Sequence, residues 1–127
     1  MFQLIWRVGG DFDVDQFLQL HRSVVPEVVW RAGEMGRRER VRTESGFNVS
    51  VGEFGSASEV GNALRQSLLK WAHPISNLAQ IKAGSEFDIG IVLDDECMSR
   101  SIRFDAEVLC LVASSGVSLV VSSYLAT

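Results

Sequence analysis

The sequence predicts an α+β fold with a single mixed or antiparallel sheet and about three to four helices. Two segments alternate apolar and polar residues as half-buried strands do, and a third, residues 87–93, is an apolar run typical of a central strand. Between the strands, apolar residues recur at helical spacing behind recognisable capping residues. This mixture of elements defines the α+β class. A length of 127 residues corresponds to one domain, residues 1–127.

The N-terminal part of the chain predicts a strand, a short helix and a short extended piece. Residues 2–8 alternate, which gives the strand one buried face. Asp13 is placed to cap a helix over residues 14–22, with Phe12 and Phe17 on either side of the cap as a hydrophobic staple. Residues 27–30 then predict an extended piece that leads into a glycine-containing and arginine-rich segment.

The middle of the chain predicts a strand, two helices and the central strand. Residues 47–54 alternate again, and Ser56 with Glu59 forms a capping box for a helix over residues 57–72. Pro74 cannot continue that helix, but it can start a shorter and angled one that ends near residue 84.

The C-terminal part predicts a hairpin, a helix and a last strand. A short strand over residues 101–104 would pair with residues 87–93 across an acidic turn. The helix over residues 106–115 is apolar on nearly every side, so we expect it to be largely covered and Cys110 to be buried. Gly116 would end this helix in the left-handed conformation before a strand over residues 117–125.

The two ends of the chain also share an outline, namely a strand, a helix preceded by Asp and another alternating strand. This outline suggests a pseudo-duplication of ferredoxin-like type, although no residue-level repeat is visible. We keep that arrangement as a hypothesis within the α+β class.

Composition disfavours several classes of function. The net charge of −4 argues against direct binding of nucleic acid and favours a basic protein partner. The longest apolar stretch, residues 108–113, is far shorter than the roughly 20 residues of a membrane span. Because no basic leader precedes the first apolar residues, we expect a cytoplasmic protein.

Catalytic and metal-binding signatures are weak. Nucleophilic catalysis needs a base near the nucleophile, and the two histidines, His21 and His73, have the pattern of packed or junction residues. Cysteine and histidine are never clustered at the spacing of a zinc site. We therefore predict that the protein is not an enzyme, with no catalytic residue, metal or cofactor.

Two charged segments are the candidate binding residues. Residues 30–42 hold five of the twelve cationic side chains, and guanidinium groups suit carboxylate or phosphate partners. The second segment is an acidic turn, which suits a basic partner. Both segments are also compatible with ordinary solvated surface. The candidate residues are Asp94, Asp95, Glu96, Arg37, Arg38 and Arg40.

Short motifs along most of the chain resemble a bacterial family of small domains of unknown function. They are Gly9-Gly10 after the first strand, Trp30-x-x-Gly33-Glu34, Gly46-Phe47-x-Val49, and Gly116 before a strand that ends in Ser123-Tyr124. The chain departs from the family at Phe47, where a Trp-centred strand is usual, and in its longer arginine insert. The resemblance implies association with polymorphic toxins, including those of contact-dependent growth inhibition, some members being immunity proteins. It supplies no catalytic residues.

We therefore predict an immunity protein that binds a cognate toxin domain, such as a nuclease, and occludes its active site. The acidic turn would make the main contact, and the arginine segment would reach acidic residues of the toxin as a second one. The alternative is a non-catalytic regulatory or small-molecule-binding α+β domain.

Overall fold

The computed structural model describes residues 1–96 and 99–126, which form one five-stranded sheet with four helices. The elements are β1 (Phe2–Gly10), α1 (Val14–Leu20), β2 (Val28–Trp30), β3 (Ser45–Phe54), α2 (Ala57–Lys70), α3 (Ala72–Gln80), β4 (Gly84–Leu93), α4 (Ala106–Ser115) and β5 (Ser118–Leu125). The strand order is β2-β3-β1-β4-β5. All neighbours are antiparallel except β4 and β5, which are parallel. The sheet is therefore mixed, and the predicted α+β class is confirmed.

The first four strands have a ferredoxin-like arrangement. β1 and β2 are joined through α1 and are separated in the sheet by β3, while β3 and β4 are joined through α2 and α3 and are separated by β1. Two interleaved β-α-β units of this kind make the β-α-β-β-α-β pattern. The sequence outline suggested a repeat between the two ends of the chain. In the structure, the repeat instead lies within β1 to β4, and α4 and β5 follow it as additional elements.

The core lies between the helices and one face of the sheet. Alternation in β1 buries its apolar residues on that face, and Trp6 is the centre of an aromatic cluster. Its ring centroid lies 5.0 Å from that of Trp71, 5.8 Å from that of Phe87 and 5.3 Å from that of Phe47. The cluster joins β1, β3 and β4 to the helices. The opposite face of the sheet is here called the outer face.

The local signals at the helix ends are confirmed. The side chain of Asp13 accepts a hydrogen bond of 3.1 Å from the backbone N–H of Gln16, and Ser56 does the same for Glu59 at 3.2 Å. Pro74 lies in the first turn of α3, where its missing N–H is not needed. Gly116 ends α4 with φ 73°.

The predicted hairpin after β4 is wrong. Residues 101–104 form no strand, because β4 already pairs with β1 on one side and with β5 on the other. Ile102 and Phe104 instead pack, partly buried, against the core. The predicted turn also includes residues 97 and 98, which lie outside the described residues.

The prediction that α4 is largely covered is also wrong. Only Val108 and Val112 of this helix are buried, whereas Leu109 and Cys110 are exposed. α4 packs against α2, α3 and β5, and its remaining sides stay exposed. Apolar composition alone therefore overestimated the burial of this helix.

Candidate functional site

The structure places the two groups of candidate residues at opposite ends of the sheet. β4 starts at Gly84, close to the arginine segment, and ends at Leu93, immediately before Asp94. A strand of this length spans about 30 Å at ~3.3 Å per residue. The acidic turn and the arginine segment are therefore two separate candidate sites.

The acidic turn is exposed and lies beside the end of β5. Asp94 accepts a hydrogen bond of 3.1 Å from the backbone N–H of Glu96, which fixes the turn locally. The Ala126 N–H donates to the Leu93 carbonyl at 2.7 Å, so the end of β5 is held against the start of the turn. Tyr124 is 48% exposed and Leu125 is 78% exposed. We call this surface the acidic end: Asp94, Asp95, Glu96, Tyr124 and Leu125.

The arginine segment forms an ordered, hairpin-like loop, here called the arginine loop (residues 31–44). The backbone N–H of Gly33 donates to the Arg42 carbonyl at 2.8 Å, and the N–H of Arg42 donates to the Glu34 carbonyl at 2.7 Å. Nearer the tip, the Gly36 N–H donates to the Arg40 carbonyl at 2.7 Å. These bonds hold the loop in a defined shape over the edge of the sheet.

The Trp30-x-x-Gly33-Glu34 motif fixes the base of this loop. Gly33 has φ 91°, a left-handed conformation that favours glycine. The Glu34 carboxylate accepts a hydrogen bond of 2.6 Å from the Arg31 N–H. The Arg31 guanidinium binds Asp15 of α1 through two hydrogen bonds of 2.7 and 2.8 Å, and this hydrogen bonding holds the pKa of Asp15 below its usual value. The motif is thus structural.

Trp30 packs against the bare backbone of Gly46 on the outer face of the sheet. Trp30 and Gly46 are register partners in β2 and β3. A Cβ atom at residue 46 would lie 2.5 Å from Cζ2 of Trp30, so only glycine leaves room for the ring. The Arg42 guanidinium carbon lies 4.9 Å from the centroid of the Trp30 ring, a cation–π contact. The indole is therefore enclosed between Gly46 and Arg42.

A polar network crosses the outer face and includes a buried carboxylate. Asp88 of β4 is 4% exposed, forms an ion pair with Arg7 of β1, and accepts a hydrogen bond of 3.0 Å from the Ser122 hydroxyl. Neither Arg7 nor Asp88 was among the candidate residues predicted from the sequence. The available signal was a single acidic residue within the apolar run of residues 87–93.

The arginine loop and the outer face enclose a recess of about 1000 Å³. We call it the arginine recess. Four cationic and two acidic side chains line it, while Gly9 and Gly84, neighbours across β1 and β4, contribute bare backbone. Of the predicted arginines, Arg37 and Arg40 line the recess and Arg38 does not. The charged lining residues are Arg7, Arg37, Arg40, Arg42, Glu44 and Glu86.

The two histidines lie at neither site. Their ring centroids are 5.3 Å apart, where the end of α1 meets α3. The Asn77 side-chain amide and Nε2 of His21 are hydrogen bonded at 3.0 Å. Burial lowers the pKa of His21 below its usual value, and the charge of His73 lowers this pKa further. The expectation of packed or junction histidines is confirmed.

Acidification is expected to destabilise the protein through His21. The lowered pKa means that the folded state binds fewer protons here than the unfolded state, whose His pKa is about 6.5. The contribution of neutral His21 to the free energy of unfolding is therefore present above pH 6.5. It is lost as the pH falls from there towards the lowered pKa of His21. Urea unfolding between about pH 7.5 and 5.5 measures this slope. A His21→Gln variant should show a shallower slope, and equal slopes in the two proteins would contradict the assignment.

No group of three or more His, Cys, Asp or Glu residues in the described ranges could hold a metal ion. None of the helices in this part of the chain is long and apolar enough to cross a membrane. Comparison of the chain with protein-family models, curated proteins and solved structures found no match.

Proposed function

We propose that this protein is an immunity protein, a non-catalytic inhibitor that binds a cognate toxin domain, with a nuclease as the simplest target. The composition of the acidic end is the observation that carries this proposal. Exposed carboxylates lie there beside an exposed aromatic and an exposed aliphatic side chain. Protein interfaces combine apolar and aromatic anchors with a polar rim.

Charge explains why a nuclease suits this surface. A nuclease must present cationic groups to the phosphates of its substrate. An inhibitor with a net charge of −4 and an exposed acidic turn is attracted to that surface, which speeds the encounter. Tyr124 and Leu125 then supply apolar area to hold the complex. Inhibition of this kind needs only occlusion of the toxin active site, and no catalytic group.

The arginine loop is less suited to the same contact. It lies about 30 Å from the acidic turn along β4. A standard interface covers about 800 Å² on each partner, a patch roughly 30 Å across, so a contact centred on the acidic turn would not reach the arginine loop. We therefore place the toxin contact at the acidic end, and treat Arg37, Arg38 and Arg40 as an optional second contact.

Charge reversal at the acidic end tests the proposal. The variant Asp94→Lys, Asp95→Lys, Glu96→Lys should fold normally but associate at least about tenfold more slowly with the toxin, because steering is lost. The matched control reverses Asp11 and Glu27 and changes Gln16 and Gln19 to Lys; these residues are exposed, lie outside the arginine loop and give the same change in net charge. The gene is co-expressed with the neighbouring reading frame as the candidate toxin, and growth, co-purification and association rate are measured.

The outcomes separate function from site. Rescue of growth and co-purification by the wild-type protein support the immunity function, and failure of both contradicts it. An unchanged association rate in the acidic-end variant, or an equal loss in the control, contradicts the assignment of the site alone.

A further inference from the structure

We propose that the arginine recess binds a small hydroxylated oxyanion, a molecule that carries one phosphate or carboxylate group and several hydroxyl groups. This site is separate from the acidic end and does not depend on the immunity function. Three features of the recess support it: its shape, its cationic wall and its hydrogen-bond acceptors.

The recess is open to solvent and lies between the arginine loop and the outer face of the sheet. The arginine loop forms one wall, and its backbone hydrogen bonds hold that wall in place. Glycines at positions 9 and 84 keep side chains off the adjoining strands. The resulting volume, about 1000 Å³, exceeds what a metabolite of a few hundred daltons requires.

The cationic wall offers guanidinium groups that are not already neutralised. Arg7 is paired with Asp88, and Arg42 lies over Trp30. In contrast, Arg37 and Arg40 form no ion pair with any carboxylate in residues 1–96 and 99–126. A guanidinium binds phosphate or carboxylate oxygens through two parallel hydrogen bonds, which makes these two side chains the expected oxyanion contacts.

The acceptors indicate that the ligand also carries hydrogen-bond donors. Oδ1 of Asn48 is buried and has no hydrogen-bond partner, and Asn48 lines the recess. A buried acceptor without a partner costs free energy, which a ligand donor would recover once the Asn48 amide turned towards the recess. Glu44 and Glu86 line the same recess. An ionised carboxylate can accept hydrogen bonds but cannot donate them. Ligand hydroxyl groups satisfy these acceptors, whereas a bare inorganic anion does not.

The enclosure of Trp30 argues against selection of a nucleotide base. The Trp30 indole packs against the backbone of Gly46, and the Arg42 guanidinium lies over the ring. An aromatic base would need a free ring face for stacking. The recess therefore favours polyhydroxylated compounds over nucleotides.

Titration with two matched probes tests the proposal. Ribose 5-phosphate supplies the phosphate and gluconate supplies the carboxylate, each with several hydroxyl groups, and ribose is the uncharged control. We expect saturable binding of at least one anionic probe with a Kd of about 1 mM or tighter. In nitrogen-15 NMR spectra, the indole N–H of Trp30 should shift, while those of the buried Trp6 and Trp71 should not.

A pair of arginine variants localises the site. Arg37→Gln with Arg40→Gln should weaken binding at least about tenfold through loss of the charge-assisted hydrogen bonds. Arg38→Gln is the matched control, since Arg38 lies in the same loop but does not line the recess, and it should bind as the wild type does. The proposal is overturned if neither anionic probe binds up to about 10 mM, if ribose binds equally well, or if the two variants behave alike.

Discussion

Gly46→Ala is expected to destabilise the protein by about 3 kcal/mol, at the upper end of the cost of overpacking. A Cβ atom at this position would lie well inside the contact distance of the Val8 carbonyl oxygen, which is backbone, and 2.5 Å from the Trp30 ring. The β1 and β3 strands would have to separate locally, and the indole would leave its place. Urea unfolding at neutral pH measures the loss.

Gly61→Ala is the matched control for this prediction. Gly61 lies in α2, and a Cβ atom there would meet nothing within 4 Å. The same change should stabilise the protein by roughly 0.5–1 kcal/mol, because alanine favours the helix. A Gly46→Ala protein as stable as the wild type would contradict the packing of Trp30 on Gly46. We also expect the Gly46→Ala protein to lose binding of the anionic probes, because the displaced Trp30 lines the arginine recess.

Arg7→Met is expected to cost about 2 kcal/mol, and the loss should be rescued by a second change at Asp88. Removal of one partner from a buried ion pair typically costs about 3–5 kcal/mol, because the remaining charge is buried without compensation. The Arg7 side chain is 36% exposed, so solvent can replace part of the interaction and the cost is smaller. Once Arg7 is removed, Asp88 keeps the hydrogen bond from the Ser122 hydroxyl.

A double-mutant cycle tests this explanation. Asp88→Asn keeps the size of the side chain and a carbonyl acceptor for Ser122, but removes the negative charge. In the Arg7→Met background it should restore most of the lost stability. Equal stabilities of the single Arg7→Met variant and the double variant would show that the ion pair does not stabilise the outer face.

Local features of the fold were predictable from the sequence because short-range signals determine them. Alternation in residues 2–8, the Asp13 and Ser56 caps and the stop at Gly116 all involve residues that are close in sequence. The hairpin after β4 could not be judged in the same way. Its exclusion depends on β5 pairing with β4 in parallel, a contact that a distant segment makes.

The candidate sites were predictable only in part. The arginine loop and the acidic turn are unusual in composition, so both were predicted as candidate sites. The recess was missed because lining residues such as Arg7 and Glu86 are far apart in sequence and meet only through strand pairing. The glycines at positions 9 and 84 gain their role in the same way, from register across β1 and β4. Sequence composition identified the charged loop, but not the sheet face that the loop encloses.

Hydrogen exchange of the protein with and without its co-purified toxin domain tests the central proposal most directly. The proposal predicts that slowed exchange is concentrated in backbone amides of residues 93–96 and 119–126, at the acidic end. Residues 31–44 of the arginine loop should exchange at the rate of the free protein. Protection confined to the arginine loop, or failure of any complex to form with the toxin of the neighbouring reading frame, would contradict it.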